Sequence, residues 1–268
     1  MPLPDYRRNL ILKTVDERGS VTVLELADRL DVSMMTIRRD LAELEGEGAL
    51  RRVHGGAVST HGRSYEPVFP TRAAHMQAEK ERIGQLAASL VADGESIALD
   101  IGTTMLTVAQ GLVSRRNLTV LTPSLHVANL LLSHPEIRVV VSGGIARPIE
   151  GSLIGDLARA AFAHLFVDRV FLAVSCIDAT HGLSEYNWDD ALIKQAMIAS
   201  AREVIVVADS SKFGKTAFAQ VATLSQVHKI VTDRVPPPDI VELMERSGVA
   251  LLVADESVPV RGRGRLES

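Results

Sequence analysis

From residue 79 onward, short apolar runs alternate with stretches of helical period. That alternation constrains the fold more than any other feature. The runs are 96–99 (SIAL), 118–121 (LTVL), 138–141 (RVVV), 170–174 (VFLAV), 204–208 (VIVVA), 229–232 (KIVT) and 250–253 (ALLV). Helical patterns lie near 104–112, 124–133, 156–165, 188–201 and 238–247. Strands apolar on both faces, separated by helices, predict a mostly parallel sheet covered on both sides. Such α/β sheets bind ligands beyond the carboxyl ends of their strands.

The loops at those ends are polar and glycine-rich. Asp100, Gly102, Thr103 and Thr104 follow the first run, with two hydroxyls at a helix start that could seat a phosphate. Taken alone, that loop reads better as a plain strand-to-helix turn with Thr as a cap. Thr122 and Ser124 follow the second run, with Ser124 placed to cap a helix. Gly143 and Gly144 follow the third, then Arg147 and Ser152. Asp209 and Lys212 follow the fifth. Arg147 and Lys212 are the cations that could pair an anionic oxygen, or could simply be solvated.

The first part of the chain has a different grammar. Residues 6–18 carry apolar positions at helical spacing, and 21–30 (VTVLELADRL) predict a second helix with Val23, Leu26, Ala27 and Leu30 inward. Ser33 then caps a third, whose Ile37, Leu41 and Leu44 form one buried face. Met34, Met35, Thr36, Arg38 and Arg39 fall off that face, in the first turns, where a recognition helix meets base edges. Alone, the stretch would also describe an amphipathic helix with a solvated arginine pair. After it, Arg51 and Arg52 lead into His54-Gly55-Gly56, a hairpin tip between short extended runs. The whole reads as a helix–turn–helix over about 20–39 with a two-stranded wing.

The segments Thr36-Ile-Arg-Arg-Asp-Leu41 and Leu50-Arg-Arg-Val-His-Gly-Gly-Ala57 resemble the winged helix–turn–helix of the DeoR/GlpR family of bacterial transcriptional regulators. The Glu79-Lys80 pair and the strand-end loops extend the resemblance to about residue 253. It implies an effector domain with a fold similar to ribose-5-phosphate isomerase and glucosamine-6-phosphate deaminase. It also implies a phosphorylated sugar or related metabolite as effector. Asp100, Gly102, Thr103, Thr104, Gly143, Gly144, Arg147, Ser152, Asp178, Gly182, Lys194, Asp209 and Lys212 stand where the family pattern places them. Ile101, Pro123 and Cys176 depart from it, standing where the family commonly has Ser, Asn and Gly.

The expected organisation is a DNA-binding domain at 1–58, a turn-rich linker at 59–78, an effector domain at 79–253 and a disordered tail at 254–268. The net charge of −4 does not announce nucleic-acid binding, and residues 1–58 carry ten acidic against nine basic side chains. Arg38, Arg39, Arg51 and Arg52, however, sit on the docking elements. A module that is slightly acidic overall calls for a homodimer or homotetramer on double-stranded operator DNA. One cysteine, Cys176, fits a reduced cytoplasm and a small buried role. The start of the chain has no leader-like apolar core, and no apolar run approaches the ~20 residues that span a bilayer. Aromatic residues at 4% disfavour base-stacking platforms. The histidine spacing predicts no metal site, and nothing calls for a cofactor. The reading is a repressor of carbohydrate-metabolism genes, released from its operator by a phosphorylated metabolite. The rival is an isomerase- or deaminase-type enzyme with an accessory DNA-binding domain.

Overall fold

A computed structural model describes residues 4–18, 20–46, 49–53, 55–58 and 62–254. The chain folds as two compact units that divide between Tyr65 and Glu66.

The first unit runs α1 (Pro4–Arg18), β1 (Ser20–Thr22), α2 (Val23–Leu30), α3 (Met34–Gly46), β2 (Arg51–Val53) and β3 (Gly56–Val58). The expected helix at 21–30 begins two residues later. Thr22 caps it through a capping box: its hydroxyl accepts from the Glu25 N–H at 3.2 Å, and the Glu25 carboxylate accepts from the Thr22 N–H at 2.9 Å. Residues 20–22 are thereby freed to pair antiparallel with β3, so the wing is a three-stranded sheet in the order β1-β3-β2. A Cβ on Gly56 would lie 2.0 Å from the Val21 carbonyl oxygen, so only glycine lets β1 approach there. Asp31 stops α2 in the left-handed conformation, at φ 50°. Ser33 then caps α3 by accepting from the Thr36 N–H at 3.2 Å. Ile37, Leu41 and Leu44 are buried, as their spacing predicts, against Ile11, Val15, Leu26 and Leu30. Asp40 lies on the same inward face, where the Arg7 guanidinium of α1 donates to both its oxygens, at 2.5 and 2.9 Å.

The second unit is built on seven parallel strands: β4 (Ser96–Leu99), β5 (Leu118–Thr122), β6 (Ile137–Val141), β9 (Val167–Ala173), β12 (Ala201–Val207), β14 (Lys229–Thr232) and β15 (Ala250–Val253). Their order is β15-β14-β12-β9-β4-β5-β6. Alternate side chains feed opposite cores. Val170, Leu172, Val204 and Val206 pack with α8 (Asp156–Ala163), α9 (Trp188–Ser200) and α10 (Pro238–Ser247). Phe171, Ile205 and Val207 pack with α5 (Gln77–Ser89), α6 (Thr103–Leu112) and α7 (Leu125–Leu131). Each expected strand and each expected helix between 96 and 253 is present, with ends shifted by a few residues. Two short pairings carry too little periodicity to be foreseen. One is the hairpin of β7 (Ile145–Ala146) with β8 (Leu153–Ile154). The other is an antiparallel sheet of β10 (Cys176–Asp178), β11 (Gly182–Glu185) and β13 (Ala219–Ala222).

Two expectations need correction. Residues 66–78 are not a linker but part of the second unit, and two helices begin within them. These are α4 (Phe69–Ala74) and α5, separated by Met76 at φ 51°. The Lys80 ammonium fixes the break by donating to the carbonyls of Arg72 and His75. The tail does not start at 254: Ala254 is buried and its N–H donates to Thr232 O at 2.7 Å, while 255–268 lie outside the described residues.

The Arg7–Asp40 pair ties the first helix to α3 with both side chains almost sealed from water. Removing one partner of a buried pair leaves an uncompensated charge, a loss of about 3–5 kcal/mol. Asp40→Asn should therefore accelerate amide hydrogen exchange in α1 and α3 while leaving the seven-stranded sheet protected. Unchanged exchange in α3 would show that the pair does not hold it.

Candidate DNA interface and candidate anion site

The solvent side of α3 presents Ser33, Met34, Met35, Arg38 and Arg39, with Thr36 half-buried. Met35 is 69% exposed, which is unusual for so apolar a side chain and suits contact with a groove. The Arg39 guanidinium rests 3.3 Å from Glu43, one turn on, and Glu43 is shared with Arg8 at 2.7 Å. Such an exposed pair contributes about 0.3–0.5 kcal/mol, so Arg39 can be turned toward DNA at little cost. Arg51 and Arg52 are exposed on β2, and the Arg52 N–H is held by Glu45 at 2.8 Å. Gly55 is exposed at the tip at φ 84°. Gly56 is not a surface residue: it is buried beneath β1, and its role is the close approach described above. His54 lies outside the described residues.

In the second unit, the strand-end residues gather where the topology requires. Asp100 ends β4 and is buried. It takes a charge-assisted bond from Lys194 of α9 and accepts the Ala173 N–H at 3.1 Å. Lys194 also donates to Ala173 O at 2.8 Å and lies 3.4 Å from Glu185 of β11. Burial works to lower the Lys194 pKa, but Asp100 and Glu185 outweigh it and hold the ammonium above its usual range. Lys194 is thus an internal counter-ion rather than an open ligand contact. Gly102 stands at φ 112° before α6, with Thr103 and Thr104 buried in its first turn. Thr122 and Ser124 are buried and already occupied. The Thr122 hydroxyl accepts from the Ser124 N–H at 3.0 Å, and Ser124 caps α7 through the Val127 N–H at 3.2 Å.

Asp209 follows β12 and is fully buried. Burial pushes its carboxyl up, but Lys212, Ser211 and Lys80 together hold it below the usual carboxylate range. Lys212 is half-buried in the turn Ser210–Lys212. Gly143 and Gly144 are exposed at φ 75° and 108°. A Cβ on Gly144 would lie 2.4 Å from Ile154 O, so that turn admits glycine alone. Asp178 is already occupied: it closes the β10–β11 turn by accepting from the N–H groups of Thr180 and His181, both at 2.9 Å.

Several buried polar atoms at this edge have no protein partner: Asp100 Oδ1, Ser152 Oγ, Asp209 Oδ2 and Thr232 Oγ1. Interiors rarely leave such atoms unpaired, so the strand ends are the candidate for a polar binding site. Arg147 is not a free cation. It is bonded to Asp190 of α9 and, at 3.1 Å, to Glu66. Burial pushes the Asp190 carboxyl up to about 7, against the pull of Arg147 and Lys194. Glu66, Arg72, Lys80, His126, Glu150, Glu185 and Asp190 join the site without having been foreseen. Only Glu79-Lys80 carried a sequence signal. Cys176 is buried, and burial raises its thiol pKa, which fits a packing role.

Residues 7–63 match the DeoR-like helix-turn-helix domain, and residues 75–234 match the DeoR C terminal sensor domain. The chain is 36% identical over 252 residues to the uncharacterized HTH-type transcriptional regulator YgbI of Escherichia coli K12, covering 94% of this chain and 98% of that one. It is 34% identical over 238 residues to the glycerol-3-phosphate regulon repressor of the same organism, covering 89% and 94%. It is 33% identical over 246 residues to the HTH-type transcriptional repressor GlcR of Bacillus subtilis, covering 92% and 95%. Ribose 5-phosphate isomerase A of Methanocaldococcus jannaschii aligns over 51% of this chain and 54% of that one, at 20% identity and a TM-score of 0.39, too low to bear on function. With both of its units matched and its relatives aligned along nearly their full length, the chain belongs to the DeoR family of transcriptional regulators.

Proposed function

We propose that this chain is a sequence-specific repressor of carbohydrate-metabolism genes that leaves its operator when a phosphorylated sugar or related metabolite binds the second unit. The observation that carries the reading is the pairing, in one chain, of an arginine-bearing helix with a cluster of unpartnered polar atoms at the carboxyl edge of a parallel sheet. In the first unit, α3 enters the major groove. One of Arg38 and Arg39 reads a base edge and the other a phosphate, and Arg51 and Arg52 of the wing grip the backbone. In the second, Thr103 and Thr104, the first N–H groups of α6 and Lys212 receive the effector's oxygens. Two relatives named as repressors, one of the glycerol-3-phosphate regulon, support the repressor half of the reading.

The isomerase- or deaminase-type alternative needs a base with access to substrate. The nearest carboxylate to the buried lysine, Asp100, is sealed and bonded to it, which favours a structural pair over a proton shuttle. We place the protein in the cytoplasm because a DNA-binding regulator works where its operator is. The near balance of acids and bases in the first unit makes a single copy a weak binder. The working form is therefore a homodimer or homotetramer on paired half-sites.

Arg38→Ala and Arg39→Ala should each weaken operator binding. The residue that reads a base should lose about 1–3 kcal/mol and relax preference at one position. Gel-shift titration with parallel sedimentation checks this; full affinity in both variants, or tight binding by a monomer, would refute the assignment.

For the second unit, a thermal-shift screen of phosphorylated metabolites on the full chain should find a stabilising compound. Lys212→Ala should shrink that shift while leaving the unliganded melting temperature near wild type. An undiminished shift would place the ligand away from the β12 loop.

A further inference from the structure

Glu66 is the first residue of the second unit, and it does not behave as a spacer. Its side chain is 11% exposed, and its two oxygens are held by different arginines: Oε1 by Arg72 and Oε2 by Arg147, each at 3.1 Å. Two guanidiniums converging on the oxygens of one carboxylate form the donor set that two oxygens of a phosphate would take. Phe69 stacks on His126 with ring centroids 4.5 Å apart, and Arg72 bonds Glu150. The segment is thus laid along the loops that follow β5 and β7. Ser152, fully buried in the same hairpin as Arg147 and Glu150, leaves its hydroxyl without a protein partner.

We propose that Glu66 is an internal stand-in for the effector's anionic group, seated between Arg72 and Arg147, and that a phosphate monoester takes this seat by displacing it. This deepens the reading of the second unit as an anion-binding sensor, and rests on it. The cluster holds three carboxylates, Glu66, Glu150 and Asp190, against two guanidiniums, so one carboxylate is in excess. Of the three, Glu66 alone precedes the first helix of the unit, on an extended stretch of chain, and it is the one that can leave. The incoming dianion adds negative charge, and Asp190, whose carboxyl burial already brings to about 7, can offset it by taking a proton. Displacing Glu66 frees the chain that leads, one residue earlier, into the winged unit.

Inorganic phosphate is the probe, titrated at constant ionic strength into the full chain. The fluorescence of Trp188, the single tryptophan, reports binding, since it lies two residues from Asp190. If Glu66 holds the seat nine-tenths of the time, Glu66→Gln should bind phosphate about tenfold more tightly than wild type. Arg147→Ala should lose the binding; if it does not fold, Arg147→Lys, which keeps the charge without the forked donors, replaces it. Equal or weaker binding by Glu66→Gln would overturn the stand-in role while leaving the sensor reading intact. Wild-type affinity in the folded Arg147 variant would overturn it too, placing the anion elsewhere on the unit. No phosphate binding by either wild type or Glu66→Gln would contradict the seat and the anion-sensor reading together.

Discussion

A lysine ammonium sealed inside the second unit fixes the geometry of its strand ends. Lys194 reaches from α9 to the carboxylate that ends β4, to the carbonyl that ends β9, and to Glu185 on the small antiparallel sheet. Taking an ammonium out of water costs several kcal/mol, and a single carboxylate rarely recovers it. Here two carboxylates and a carbonyl surround one cation. The Ala173 N–H shares Asp100, so the loops after two neighbouring strands are locked to each other and to the helix. The rigidity has a consequence for sensing. With Asp100 Oδ2 committed, Oδ1 is held unpartnered beside the glycine turn into α6. A site preorganised this way loses little entropy on binding.

The two units divide the physical work. The winged unit is held by a small apolar core and the buried Arg7–Asp40 pair, and it leaves Arg39 and Arg52 in weak, exposed contacts that DNA can replace. The sensor unit does the opposite with its arginines, holding Arg72 and Arg147 in a partly buried network. Charges kept in such a network respond to an anion because any newcomer must rearrange partners. Charges on α3 need only turn outward.

Much of this was legible in the sequence, for identifiable reasons. Strands apolar on both faces announce a covered parallel sheet, and such a sheet dictates that Asp100, Thr122 and Asp209 come together at one edge. Ser33 and the Ile37, Leu41, Leu44 spacing announce α3. The failures share a cause: they depend on partners distant in sequence or on very short elements. β1 is three residues long and merges with the start of α2, although Thr22 and Glu25 carried the capping-box signal for the true boundary. Residues 66–78 looked like a linker because nothing local reveals that Glu66 meets an arginine 81 positions away. For the same reason nothing local shows that Arg147 is held by Glu66 and Asp190, or Lys194 by Asp100. Gly56 reads as part of the hairpin tip because β1, which covers it, is too short to show in the sequence.

Occupancy of the strand-end site must change occupancy of the operator if the two units form one switch, since a ligand shifts an equilibrium only through its different affinities for the two states. Fluorescence anisotropy of a labelled operator duplex, with a stabilising phosphorylated metabolite titrated in, measures that coupling directly. The account predicts a saturable fall toward the value of free duplex, with a coupling of about 1–3 kcal/mol. Anisotropy that stays constant while the metabolite saturates the second unit would contradict it.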